Sequence, residues 1–221
     1  MITVAKLREV NFMQVPIMFI IFFILSVYIR YLIRSSQPAD ENDHIIAKDM
    51  EANFARVKDI SGDLFVVPDM SELPFQHNID ANEYARLARS QISVLDKSKE
   101  QMIRPNKQIS NVDLKLKFGL ANLELIANYE ENFNQYIWAL LRWADALAQK
   151  DMLIEAVTVL RHSIDFGSES SKPYITLADV YYKMNDFANI ENLLREVELH
   201  NIQAKDIIMQ HLKNLIKTIE K

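Results

Sequence analysis

The 221-residue chain contains no cysteine, which excludes a disulfide framework, a zinc–thiolate site and a thiol nucleophile while leaving the compartment open. Glycine is scarce as well, with Gly62, Gly119 and Gly167 the only three. So few glycines cannot build a loop that cradles phosphates, and they disfavour a turn-rich β architecture. The six prolines are well separated and leave long stretches open to helices. The five histidines (His44, His77, His162, His200, His211) never fall at the four-residue spacing of a helical metal site. His162 and Asp165 stand three apart, but no serine nucleophile motif accompanies them, so they read as a surface pair. No catalytic residue, metal ligand or cofactor-binding residue emerges, and a non-catalytic function without a small-molecule substrate is expected.

Positive charge is also in short supply. The formal net charge is −5, and residues 1–34 (Lys6, Arg8, Arg30 and Arg34 against Glu9) carry +3 of it, leaving −8 for the rest. An acidic body argues against nucleic acid as a partner, because phosphate-backbone binding needs basic patches.

What the chain has in quantity is apolar sequence, 49% of its residues. Val10 to Ile29 holds no side chain charged at neutral pH, and about 20 such residues span a hydrocarbon core of roughly 30 Å. With the resumed run Tyr31-Leu32-Ile33, this predicts a transmembrane helix over 10–33 behind a short basic tail, 1–9. A cleaved signal peptide and a buried core helix are the alternatives. The end of the run, Val27 to Arg34, is bulky and charged where a cleavage site needs small residues, which suits an uncleaved signal-anchor. Flanking basic residues are nearly balanced, but a short basic tail ahead of a large acidic body favours the amino terminus inside. The expected location is the plasma (inner) membrane, single-pass, with the C-terminal domain outside the cytoplasm.

Residues 34–43 form a polar, acidic linker. In 44–79 a helix is predicted from the stripe Ile46, Met50, Phe54 and Val57, then a turn at Ser61–Asp63, a β-prone run Leu64–Val67, and an extended strap, Met70–Phe75, packed on the helical body. The segment 80–221 is predicted to be α-helical throughout. Asp80 and Glu83 have capping-box spacing, and the stripe Tyr84, Leu87, Ala88, Gln91, Leu95 and Met102 follows. Arg104-Pro105 closes that helix. Asn111 or Asp113 opens another, apolar on several sides (Leu114, Leu116, Phe118, Leu120, Leu123, Ile126, Ala127), as for a helix sandwiched between neighbours.

The strongest pattern lies in 137–204. Trp143-Ala144 and Leu177-Ala178 are 34 residues apart, and at that offset Leu147 matches Tyr181, Ala156 matches Ile190, Leu160 matches Leu194 and Ser163 matches Val197. A period of 34 belongs to helix–turn–helix units. The pattern resembles the tetratricopeptide repeat (TPR) family, with repeats 137–170 and 171–204. It departs from the family in Ile190, where a small residue is usual, and in the missing terminal proline of both copies (Ser168, Ile202). Lys205 to Lys221, with Ile208, Leu212, Leu215 and Ile219 on one face, reads as a capping helix.

The resemblance implies an all-α, TPR-like solenoid of helical hairpins with irregular flanking helices, preceded by the transmembrane helix. It also implies a concave groove lined by the first helices: Trp138, Leu141, Asp145 and Ala148, then Lys172, Ile175, Asp179 and Tyr182. A groove of this character suits a protein or peptide partner, unless Trp138 packs on the preceding helix. The implied function is a membrane-anchored scaffold, by analogy with single-span bacterial TPR proteins of envelope assembly; the rival is a structural subunit packed permanently in a larger membrane or envelope complex.

Overall fold

The computed structural model of the chain describes residues 19–31, 39–76, 84–106, 109–200, 202 and 204–219. Two units are distinguished, Met1–Ala55 and Arg56–Lys221.

The first unit contains helix α1 over residues 19–31 and α2, Ala39–Asn53. The large apolar side chains of α1 are all exposed, Phe22 and Phe23 by 69% and 70%. Thirteen residues at 1.5 Å each make a rod of about 20 Å, and among the described residues no helix is long and apolar enough to cross a membrane. Residues 10–18 and 32–33 of the predicted span lie outside the described residues, as do the basic tail and 34–38. α2 starts inside the stretch predicted to be a linker. An acidic run is favoured beside the positive end of a helix dipole, so the composition that suggests a solvated linker also serves a first turn. Of the stripe from which a helix was predicted, Ile46 and Met50 lie on α2, which ends before Phe54 and Val57, and all four are exposed.

The second unit is largely helical, and its core gathers on one long helix. The expected helix over Leu114–Ala127 is two: α4, Asn111–Phe118, and α5, Leu123–Ala148. Ser110 caps α4, its Oγ accepting from Asp113 N at 3.2 Å. Gly119 breaks the run with φ +88°, and a Cβ there would stand 2.7 Å from Val57 Cα. Handedness and space both demand glycine. Arg56–Lys58 is clipped over this break, Lys58 N donating to Phe118 O at 3.1 Å and Asn122 Nδ2 to Lys58 O at 2.6 Å. α5 therefore begins well ahead of Ile137, where the first repeat was expected to start.

From α5 the chain runs through α6 (Leu153–Asp165), α7 (Ser171–Lys183), α8 (Phe187–Leu199) and α9 (Lys205–Ile219), each helix packed on the next and α7 also touching α5 and α9. α8 begins and ends 34 residues after α6, and α9 begins 34 after α7. The turns recur too. Among the described residues, Asp151 and Asn185, 34 apart, are the non-glycine residues with positive φ (57° and 56°). Each turn carries the i+5 hydrogen bond of a Schellman closure, Met152 N to Leu147 O at 3.1 Å and Asp186 N to Tyr181 O at 2.9 Å. Trp143, Ala144, Leu147, Ala156, Leu160 and Ser163 are buried, as are Leu177, Ala178, Tyr181, Ile190 and Val197, with Leu194 half-buried. At Ala144, Ala156 and Ala178 the absence of a side chain beyond Cβ lets the helices approach closely.

Irregular elements cover the other side of α5. α3 spans Ala85–Lys97; its predicted cap, Asp80 to Glu83, lies outside the described residues. Met102 is not helical: Met102–Ile103 is β2, paired antiparallel with β1, Phe65–Val66. The polar run Asp96–Gln101 offers no apolar face to extend the helix, whereas pairing buries Met102 to 1% exposure. Leu95 is likewise partly exposed, and Val94 takes its place in the core. The segment after β1 lies along the helices. Leu73 is buried, Phe75 stacks on Trp143 with centroids 4.8 Å apart, and Gln91 holds the backbone of Gln76 by both ends of its amide, at 3.1 and 2.8 Å.

Candidate functional site

The exposed face of α5 carries Trp138, the more open of the two large expected groove residues that are exposed, the other being Tyr182 on α7. Trp138 is 52% exposed although its neighbours Ile137 and Ala139 are buried. Helical periodicity explains this: Tyr136, Leu140 and Trp143 point into the body, which turns Trp138 outward. Half of its surface is left open, and the cleft it lines includes no residue of a helix preceding α5 among the described residues. Trp138 and the buried Leu141 line an open cleft of about 260 Å³ with Phe133, Asn134 and Ile137 of α5, Arg104 and Pro105, the turn Gly167–Ser170, and Ala204.

Arg104 shapes one wall. Its guanidinium donates to the carbonyl of Phe166 at 2.5 Å, the residue that ends α6, where a cation complements the helix dipole. The same group lies against Gly167, where φ is +107° and any Cβ would collide with it. Glu169 and the α7 cap Ser170, whose Oγ accepts from Lys172 N at 3.3 Å, also line the cleft. The cleft thus offers an aromatic and aliphatic floor with one fixed cation and one carboxylate at its edges.

The remaining expected groove residues do not line this cleft. Asp145 is half-buried on α5, Lys172 is exposed at the start of α7, and Ile175 is half-buried one turn on. Asp179 faces the following helix, its Oδ1 2.8 Å from His211 Nε2 of α9. Tyr182 lies near Phe187, centroids 6.3 Å apart. Trp138 and Leu141 are therefore brought together, while Lys172, Ile175, Asp179 and Tyr182 follow the line of α7. The contribution of Arg104, Pro105 and Gly167–Ser170 is new: two loops supply it, and helix periodicity does not report loops. One of the chain's three glycines, at 167, was the available signal.

His162 is not the surface residue expected from its spacing to Asp165. It stacks on Phe166, and its Nε2 lies 2.9 Å from the hydroxyl of fully buried Tyr136. Tyr136 also donates to Met70 Sδ at 3.3 Å, so the tautomer protonated at Nε2 satisfies both contacts. Burial holds the His162 pKa below its ordinary value, against the opposing pull of Asp165, Asp69 and Glu72. Burial also pushes the Tyr136 hydroxyl well above the usual range. The Tyr136 hydroxyl thus ties the strap at Met70 to α5 and, through His162, α5 to α6. Arg161 of α6 joins Glu196 of α8 at 2.6 Å and Tyr181 of α7 at 3.3 Å. Burial opposes its charge, but the Glu196 and Tyr181 bonds prevail and raise its pKa. Tyr174 is pushed up to about 12 by burial and by the Glu196 carboxylate. Among the described residues no group of three His, Asp or Glu is placed to hold a metal ion.

No family model matches the sequence, and no curated protein or solved structure matches it. The functional reading therefore rests on the geometry of the chain.

Proposed function

We propose that the chain is a non-catalytic, membrane-anchored scaffold of the TPR-like kind, which binds or assembles a protein partner at the membrane. The observation that carries this reading is the 34-residue recurrence of helix limits and left-handed turns across α6 to α9, combined with an open, partly aromatic cleft on the first helix. Hairpins stacked at a fixed period make a solenoid whose repeated faces serve as binding surfaces. An exposed tryptophan over a buried leucine is the kind of anchor point that protein ligands use. The anchor is supported by α1, whose apolar side chains have no cover, and by its place within an uncharged run from Val10 to Ile29.

The test is a pull-down from membranes with the full chain and with Trp138→Ala plus Tyr182→Ala, circular dichroism confirming that both fold. A partner retained by the parent and lost by the variant supports the groove; an unchanged set of partners overturns the site assignment. Topology is tested separately. Protease added outside spheroplasts should degrade Ser35–Lys221, and protection of that segment beside a degraded external control overturns the proposed orientation.

A second reading is a subunit packed permanently in a larger complex. It is favoured by exposed apolar side chains remote from the cleft, Ile154 on α6, Leu199 at the end of α8 and Ile207 on α9. It predicts a partner set that survives loss of Trp138 and Tyr182.

A further inference from the structure

An open cleft of about 240 Å³ between α3 and α5 is lined, among the described residues, by Arg86, Arg89, Ser90, Ser93 and Arg142, with no carboxylate among them. Three arginines on one spot are unexpected in a chain of net charge −5. Positions 86, 89 and 93 repeat at helical spacing along one face of α3, and Arg142 comes from the facing stretch of α5. Like charges crowded together repel, and burying counter-charge nearby is the usual remedy. Here it is missing: among the described residues none of the three arginines forms an ion pair with Asp or Glu. Arg86 gives one N–H to Gln149 Oε1 at 2.8 Å, and Arg89 gives its Nε–H to Ala85 O at 3.1 Å. These bonds fix the two side chains in place and leave most of their donors unused, since each guanidinium carries five. Arg142 makes no hydrogen bond or ion pair among the described residues. The hydroxyl of Ser90, largely buried, donates to Arg86 O at 2.9 Å, which turns its lone pairs away from that carbonyl; the Ser93 hydroxyl stands one turn on.

We propose that this cleft binds a phosphate group. A carboxylate presents two oxygens and is matched by one guanidinium fork, whereas a tetrahedral phosphate presents enough oxygens to engage three forks and a hydroxyl together. Ile92, exposed on α3 one turn beyond Arg89, is an apolar neighbour that a phosphorylated lipid headgroup or a soluble organic phosphate would both meet. This site is separate from the Trp138 cleft, and the proposal does not depend on the protein-binding reading.

The test is calorimetric titration of the full chain in neutral-detergent micelles at low ionic strength, with inorganic phosphate as the probe. Binding should fall about tenfold for each of Arg89→Gln and Arg142→Gln, while helical content and the thermal midpoint are retained. Arg142→Lys, which keeps the charge but loses the fork, should weaken binding several-fold and covers the case in which a glutamine variant fails to fold. Lys213→Gln with Lys217→Gln on α9, and Trp138→Ala with Tyr182→Ala, should leave phosphate binding unchanged. A diester probe, glycerophosphoglycerol, separates the sources: binding as tight as phosphate supports a lipid headgroup, and weaker binding supports a soluble phosphomonoester. Absence of phosphate binding, equal loss in the α9 lysine variant, or tighter binding of a glutamate-rich peptide than of either phosphate overturns the proposal.

Discussion

The two hairpins, α5–α6 and α7–α8, share turn geometry and buried positions but differ in what closes them. The second is covered by α9, another helix in the same phase, and the contact includes the Asp179–His211 pair. The first is covered by a short ladder, a strap and α3, and needs contacts made for the purpose: Phe75 on Trp143, Gln91 on Gln76, and Met70 with Tyr136 and His162. Residues 152 and 186 show the contrast at a single matched position. Asp186 caps α8, its Oδ1 accepting from Asn189 N at 3.3 Å. Met152 begins α6 with no side-chain cap, and its sulfur instead lies 3.5 Å from Gln76 Nε2. Where the neighbour is a copy, the residue serves its own helix; where the neighbour is irregular, it serves the neighbour.

The largest expected difference is between Trp143 and its counterpart Leu177. Trp143→Ala should cost about 3–5 kcal/mol, and Leu177→Ala about 2–5, on the scale of buried large-to-small changes. Urea unfolding of both variants measures this, and a larger loss at Leu177 would break the asymmetry. Trp143→Phe sharpens it, because Trp143 Nε1 is buried without an acceptor among the described residues, so losing that N–H offsets part of the cavity cost. Gln91→Ala strips both backbone partners from Gln76 and should cost about 1–3 kcal/mol. Limited proteolysis should then cut the strap while the α7–α9 region stays intact; simultaneous loss of both regions would mean that the two ends are not distinct. Asp186→Ala should cost about 1 kcal/mol through the lost cap, read as faster amide exchange at Asn189.

The smallest effect is one of pH. Because burial depresses the His162 pKa below its ordinary 6.5, the unfolded chain takes up the proton more readily than the folded one. The stabilisation is in place above about 6.5, is lost as pH falls from there toward the folded pKa, and levels off below it. The urea midpoint should fall over that window, and the slope should flatten in His162→Gln. An identical slope in that variant would move the titration to another group.

The regular half of the molecule was legible because its signal is periodic. Small and large residues recur at 34 in 137–204, and the helix limits of α6 and α8 follow the same interval. The irregular half was less so. Helical phase carried Met102 into a helix when a two-residue pairing with Phe65–Val66 gave it a buried seat. The break at Gly119 was hidden because its cause, the passage of Val57, lies far away in sequence. At the cleft, Trp138 and Leu141 could be named from the repeat, but Arg104 and Gly167 could not, because their meeting depends on where two loops cross. His162 was misplaced for a related reason: its spacing to Asp165 is local, while Tyr136 lies one helix away.

The latches on the first hairpin also have an order. Along the chain from Arg56 they come as Lys58 on Phe118, β1 on β2, Met70 on Tyr136, Phe75 on Trp143, and Gln76 on Gln91. A mechanical pull entering at Arg56 meets them in series. Each must part before the next carries the full load, which passes through the standing latch into the element it is fastened to. The segment is therefore a zip fastener and not a shear joint: a weak, sustained tug would peel it stepwise and leave the helical stack whole.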